Sequence, residues 1–113
     1  MKMRTYMIML CIMILQGCGN QSSQYQLIAS IQFTNQHLMI DNGDSFVWEN
    51  SLITINDEYT YEMEYIPRGK TSIPYQMFLN EKGEVYQPSL LKVRNVEVIV
   101  PKFDGKNDAV YTW

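Results

Sequence analysis

The side chains able to carry acid, base or metal chemistry are few in this chain. His37 is the only histidine. A general base or a metal ligand needs partners, and the chain has no second His and no Gly-x-Ser-x-Gly or His-Glu-x-x-His spacing. Glu62 and Glu64, two residues apart on an extended segment, fall about 7 Å apart on one face, a separation that a glycosidase carboxylate pair can have. No basic or aromatic sugar platform accompanies them on that face, which reads as solvated. A buried or a widely open position for the pair would remove the hydrolase use. Asp41-Asn-Gly-Asp44 and Asp104-Gly-Lys-Asn-Asp108 hold oxygen ligands of the kind calcium prefers. Neither supplies the roughly six to eight oxygens required, nor the closing bidentate Glu of an EF-hand loop. Both read as turns, and a shared weak site would require the two loops to meet at one end of the domain. The expectation is therefore a protein with no catalytic residue, no metal and no cofactor.

That leaves the cysteines. There are two, Cys11 and Cys18, and they sit in a stretch unlike the rest of the chain. Met1-Lys2-Met3-Arg4 is short and basic, and residues 6–15 form an uncharged, almost wholly apolar run. Such a run matches the hydrophobic region of a secretory signal peptide, whereas a membrane-spanning helix needs about 20 residues. A buried core helix is the alternative, disfavoured because the basic residues stand only on the N-terminal side.

Leu15-Gln16-Gly17-Cys18 follows, and it resembles the lipobox of bacterial lipoprotein precursors, departing from the usual pattern only at Gln16. The resemblance implies cleavage between Gly17 and Cys18, a diacylglycerol on the Cys18 sulfur, and optional acylation of the freed amine. An ordinary secreted protein with a free thiol is the alternative, for which Gln16-Gly17 is a poor Ala-x-Ala site. One acyl chain holds only marginally at about 0.8 kcal/mol per buried methylene, while two or three make a durable anchor. The same resemblance, with Gly19 in place of Asp after the Cys, implies an outer-membrane protein facing the periplasm in a Gram-negative host.

Lys2 and Arg4 fall in the leader, so of nine basic residues seven remain against twelve acidic ones. An acidic surface of this kind carries no nucleic-acid footprint and gives no electrostatic grip on anionic lipid. With Cys11 lost and Cys18 acylated no disulfide can form, and the folded part must be held by packing and by its ladders. The chain divides into a signal peptide over 1–17, an acylated N-terminus and polar tether over 18–26, and a single domain over 27–113.

Within that domain short alternating runs are punctuated by turn chemistry, the pattern of an antiparallel all-β fold. In Tyr59-Thr-Tyr-Glu-Met-Glu-Tyr-Ile66, the residues Tyr59, Tyr61, Met63 and Tyr65 share one face and Thr60, Glu62 and Glu64 the other, so one face is core and one is wet. Val96, Val98 and Val100 alternate in the same way. Residues 27–34, 37–40, 52–55, 76–79 and 109–113 complete seven or eight expected strands. Asn, Asp and Gly between them supply positive φ or bond their own backbone, and Asn80-Glu-Lys-Gly83 reads as a type I turn closed by a glycine bulge. A small antiparallel β-sandwich, immunoglobulin-like in architecture, is expected, with a small open barrel as the alternative.

The motifs Asn42-Gly-Asp44, Trp48-x-Asn50, Ile55-Asn56, Tyr59-x-Tyr61, Phe78, Lys82-Gly83 and Tyr86 resemble those of small immunoglobulin-like bacterial envelope domains, a resemblance that implies no particular function. The aromatic residues Tyr59, Tyr61, Tyr65, Tyr75, Tyr86, Tyr111, Trp48 and Trp113 are expected mostly in the core, while an exposed cluster would mark a binding patch. The functional expectation is an envelope lipoprotein whose domain binds an envelope protein or a cell-wall polymer without catalysis. The alternatives are a subunit of a larger envelope assembly or an exclusion factor, and a carboxylate hydrolase using Glu62 and Glu64.

Overall fold

A computed structural model describes residues 25–113. The expected signal peptide over 1–17, the expected cleavage between Gly17 and Cys18 and the expected lipidation of Cys18 lie outside the described residues. Eight strands run through the described part: β1 Tyr25–Gln26, β2 Ala29–Phe33, β3 His37–Asn42, β4 Trp48–Ile55, β5 Tyr59–Ile66, β6 Gly69–Pro74, β7 Val96–Val100 and β8 Ala109–Thr112. The fold is all-β. One sheet has the order β1-β8-β7-β4-β5 and the other β2-β3-β6. Every pairing is antiparallel except that of β1 with β8, which is parallel. Strands β3 and β6 stand together in one sheet while β4, β7 and β8 stand together in the other, the division of B and E from C, F and G in an immunoglobulin sandwich.

The inner faces close on one apolar core. Leu38 and Ile40 of β3 and Ile73 of β6 pack with Ile53 and Ile55 of β4 and Val96, Val98 and Val100 of β7, all essentially removed from solvent. Fully burying a side chain of this size contributes about 1.5–3 kcal/mol, and the period-2 alternation of β3 and β7 delivers these residues to one face.

Three expectations need correction. Tyr25 and Gln26, assigned to the tether, form β1 and pair with Ala109 and Val110 of β8, so these two residues belong to the sandwich. Residues 76–79, expected to be a strand, begin inside a single 3-10 turn over Tyr75–Met77, and only Leu79 makes isolated bridges, to Thr60 and Val85. Pro74 before the turn and the bond from the Tyr75 N–H to the Gln36 carbonyl draw the chain away from a ladder. Tyr65, assigned to the core face, is 56% exposed, and Ile66 is buried in its place. The cause lies on the neighbouring strand. Asn50 has φ 51°, a left-handed conformation that Asn tolerates better than most residues. Core-facing parity switches on both strands at this level, from the Ser51–Met63 pair to the Trp48–Ile66 pair.

The turns follow their chemistry. Asn56 and Asp57 both have positive φ, and Glu58 N–H donates to the Ile55 carbonyl at 3.1 Å, a type I′ turn suited to the β4–β5 hairpin. At Asn80–Gly83 the Gly83 N–H donates to the Asn80 carbonyl and Gly83 takes φ 79°, as its sequence predicts.

Candidate functional site

The strand ends define two ends of the sandwich. The starts of β1, β2, β4, β6 and β8 and the ends of β3, β5 and β7 lie at one end, with the 43–47 and 101–108 loops. At the other end lie the β2–β3 turn, the β4–β5 hairpin and the connection from Tyr75 to Asn95. Beyond the 3-10 turn at Tyr75–Met77 and the isolated bridges of Leu79 this connection holds no regular structure, and loops are where binding residues are disproportionately found.

A groove of about 450 Å³ opens at that second end, between the β2–β3 turn, the end of β6 and residues 85–89. Its walls are set by side-chain-to-backbone bonds. Thr34 Oγ1 accepts from the N–H groups of Gln36 and His37 at 3.3 and 2.9 Å, fixing the turn. The Tyr75 hydroxyl donates to the Thr34 carbonyl at 2.8 Å, tying the turn to the 3-10 segment. The Tyr86 hydroxyl donates to the Leu91 carbonyl, and its ring meets Tyr59 and Tyr75 edge to face with centroids 5.2 and 5.4 Å apart. Burial raises the phenol pKa of Tyr59, Tyr75 and Tyr86, with the Glu58 carboxylate adding to the effect at Tyr59. The hydroxyls therefore stay protonated and remain donors.

Apart from His37, the groove is lined by uncharged side chains. Asn35, Gln36, Gln76 and Gln87 present exposed amides, Pro74, Pro88 and Val85 present apolar surface, and His37 is half-buried among them. Amide side chains offer both donors and acceptors, and prolines lay flat apolar surface beside them. Such a lining suits an extended neutral ligand that alternates polar and apolar groups, as a peptide backbone or an uncharged glycan does. Among the described residues no Lys or Arg lines it.

The other candidates fall elsewhere. Glu62 and Glu64 are exposed on the outer face of β5, outside the grooves found among the described residues. The 43–47 and 101–108 loops meet at the first end through aromatic rings, with Phe46 and Phe103 centroids 4.8 Å apart, and not through the Asp41–Asp44 and Asp104–Asp108 carboxylates. The Asp44 carboxylate is buried and occupied by protein donors: Tyr25 hydroxyl at 3.1 Å on Oδ1, Ile28 N–H at 3.1 Å and Trp48 indole N–H at 3.0 Å on Oδ2. Asp104 accepts from the N–H groups of Lys106 and Asn107, which hold its carboxyl below the ordinary range. No group of three or more His, Cys, Asp and Glu converges among the described residues.

Of the aromatic residues, Trp48, Tyr59, Tyr75 and Tyr86 are core, Tyr61 and Tyr111 pack partly against it, and Tyr65 and Trp113 are exposed. They do not form one patch. Sequence reasoning missed the groove because the 35–37 turn lies about 40 and 50 residues from the other two walls, 74–76 and 85–89; the available signal was the clustering of Gln and Pro at Pro74-Tyr-Gln76 and Gln87-Pro88. Comparison with protein-family models, with curated proteins and with solved structures finds no match.

Proposed function

We propose that the chain is a bacterial envelope lipoprotein, anchored by acyl chains on Cys18, whose β domain is a non-enzymatic binding module. The observation that carries the binding role is the neutral, amide- and proline-lined groove beside Tyr75 and Tyr86. Its chemistry fits an envelope polypeptide or an uncharged stretch of cell-wall polymer. The anchor rests on the Leu15-Gln16-Gly17-Cys18 motif behind a short apolar run. In a Gram-negative host the domain would face the periplasm from the outer membrane.

Two experiments test this reading. Metabolic labelling with a palmitate analogue should mark the wild type and leave Cys18→Ser unlabelled; label persisting in the variant would overturn the anchor. A photo-crosslinking amino acid at Gln76 or Gln87 in growing cells should capture a discrete envelope component. The same residue at Glu62, on the outer face of β5, should not. Equal capture from both faces would remove the groove from consideration.

A second reading, a subunit of a larger envelope assembly, is favoured by Met77, Leu79, Val85 and Leu90, exposed apolar side chains on the long connection at this end, Leu90 being 75% exposed. A stable complex surviving purification in mild detergent would support it.

A further inference from the structure

The end of the sandwich opposite the groove presents a second surface. Tyr25, Phe46 and Phe103, from β1 and the two loops there, form an aromatic cluster with centroid separations of 4.5 Å for Tyr25–Phe103, 4.8 Å for Phe46–Phe103 and 6.0 Å for Tyr25–Phe46. Val47, 45% exposed, flanks a shallow cavity of about 570 Å³ between the loops, and Ile28, 60% exposed, lies over Gly43 at the same end. The acidic group of the 43–47 loop, Asp44, is turned inward onto Trp48 and Ile28. Arg68, Lys102 and Lys106 stand exposed around the apolar centre; Glu49, also exposed, lines the cavity beside Lys102, and Asp104 and Asp108 are engaged by N–H groups of their own loop. An amphipathic tyrosine beside two apolar phenylalanine rings, with long basic side chains at the rim, suits the boundary between phospholipid headgroups and acyl chains.

The chain itself points to the occupant. Tyr25 belongs to the cluster, and seven residue steps separate it from Cys18, a reach of at most about 25 Å when fully extended. A lipid at Cys18 would hold this end, and not the groove end, against the bilayer. A short tether also supplies a high effective concentration, so a contact too weak to recruit the domain from solution is still occupied.

We propose that this face seats on the phospholipid surface that holds the acyl chains, fixing the domain upright with the groove directed away from the membrane. The proposal rests on lipidation of Cys18 as read above. It is tested with the full chain, expressed in a bacterial host and purified from membranes. Loss of Cys11 with the leader and the thioether at Cys18 leave no other thiol, so Val47→Cys, Lys102→Cys and Ser89→Cys each accept one fluorophore. Intact mass first establishes the acyl chains. Each labelled protein is then reconstituted into phosphatidylcholine vesicles containing a headgroup-nitroxide phospholipid. Quenching several-fold stronger at positions 47 and 102 than at 89 is expected. Equal quenching at all three positions in an acylated protein would overturn the seating while leaving the anchor intact. Strong capture of a protein by a photo-crosslinker at position 47 in cells would likewise overturn it, assigning the face to a protein partner. A mass without acyl chains would overturn the anchor, and the seating with it.

Discussion

Trp48 donates its indole N–H to Oδ2 of Asp44 across 3.0 Å, and neither residue reaches solvent by more than 2%. The same oxygen accepts the Ile28 N–H, and the Asp44 carbonyl accepts from Arg68 Nε at 3.1 Å. One carboxylate thus ties the start of the domain, the β3–β4 loop and the first residue of β4. Asn42 adds to this knot, its amide donating to the carbonyls of Phe46 and Ile66 and its oxygen accepting the Asp44 N–H. Hydrogen bonds to a charged acceptor contribute about 1.5–3 kcal/mol, and orphaning a buried donor costs about 1–3 kcal/mol more. Asp44→Ala should therefore destabilise the domain by about 3–5 kcal/mol, and Asp44→Asn, which keeps one acceptor, by about 1–3 kcal/mol. Urea denaturation reads both. A double-mutant cycle with Trp48→Phe should give a coupling of about 1 kcal/mol or more; additive losses would show that the pair is not joined.

Ser51 sits on the core face of β4, fully buried, with its hydroxyl lacking a hydrogen-bond partner among the described residues. A buried hydroxyl without a hydrogen bond costs stability. Ser51→Ala is expected to leave stability unchanged or raise it by up to about 1 kcal/mol, seen as a higher urea midpoint at constant slope. A marked loss would reveal a partner for the hydroxyl, such as an internal water.

Where a strand alternates over its full length, the sequence announces it: β7 reads Val-x-Val-x-Val and buries all three valines. Strand β6 was not legible because it carries one apolar anchor, Ile73, on an edge position where a single buried side chain suffices. The reversal at Tyr65 and Ile66 was hidden for a different reason, since its cause, the left-handed Asn50, lies on the partner strand. Turn residues announced that Asp44 would bend the chain, but nothing local says that its carboxylate faces inward onto a tryptophan four residues ahead and an amide sixteen residues behind. The groove is likewise a product of tertiary pairing, made when the Tyr75 hydroxyl reaches Thr34 across 41 residues.

Tyr86→Phe and Tyr75→Phe isolate the groove's hydroxyl bonds. Each change keeps the ring in the aromatic cluster and removes one donor, to Leu91 and Thr34 respectively. The expected loss is about 0.5–1.5 kcal/mol for each, plus the cost of any carbonyl left dry. Faster amide exchange should be confined to residues 34–37 in Tyr75→Phe and to residues 86–92 in Tyr86→Phe. Loosening spread evenly over both sheets would mean that the hydroxyls support the whole core and not the groove.

The 101–108 loop should weaken in acid. Asp104 has a folded-state pKa below its ordinary value because the Asn107 and Lys106 N–H groups stabilise the carboxylate. A depressed folded pKa contributes stability that is fully present above the unfolded pKa, about 4, and that disappears as pH falls through the lower folded value. The stability gap between wild type and Asp104→Ala should be constant near neutrality and close as pH falls below about 4. A gap that persists undiminished in acid would mean that Asp104 acts through the shape of its turn and not through its charge.

Asn56 performs two tasks that two substitutions separate. Its backbone occupies φ 53° in the type I′ turn. Its side chain accepts the N–H groups of Arg94 and Asn95 at 2.6 and 3.1 Å and donates to the Lys92 carbonyl at 2.8 Å. Those bonds fix the end of the long connection as it enters β7. Asn56→Gly keeps the positive φ and removes the side-chain bonds, which at about 0.5–1.5 kcal/mol for each partly exposed bond predicts a loss of about 1–3 kcal/mol. Asn56→Ala removes the bonds and also strains the turn, adding about 1 kcal/mol. The two variants should therefore rank Gly above Ala in thermal denaturation, both below wild type. Equal stability of Asn56→Gly and wild type would mean that the connection enters β7 without this pin, and that Asn56 serves the hairpin alone.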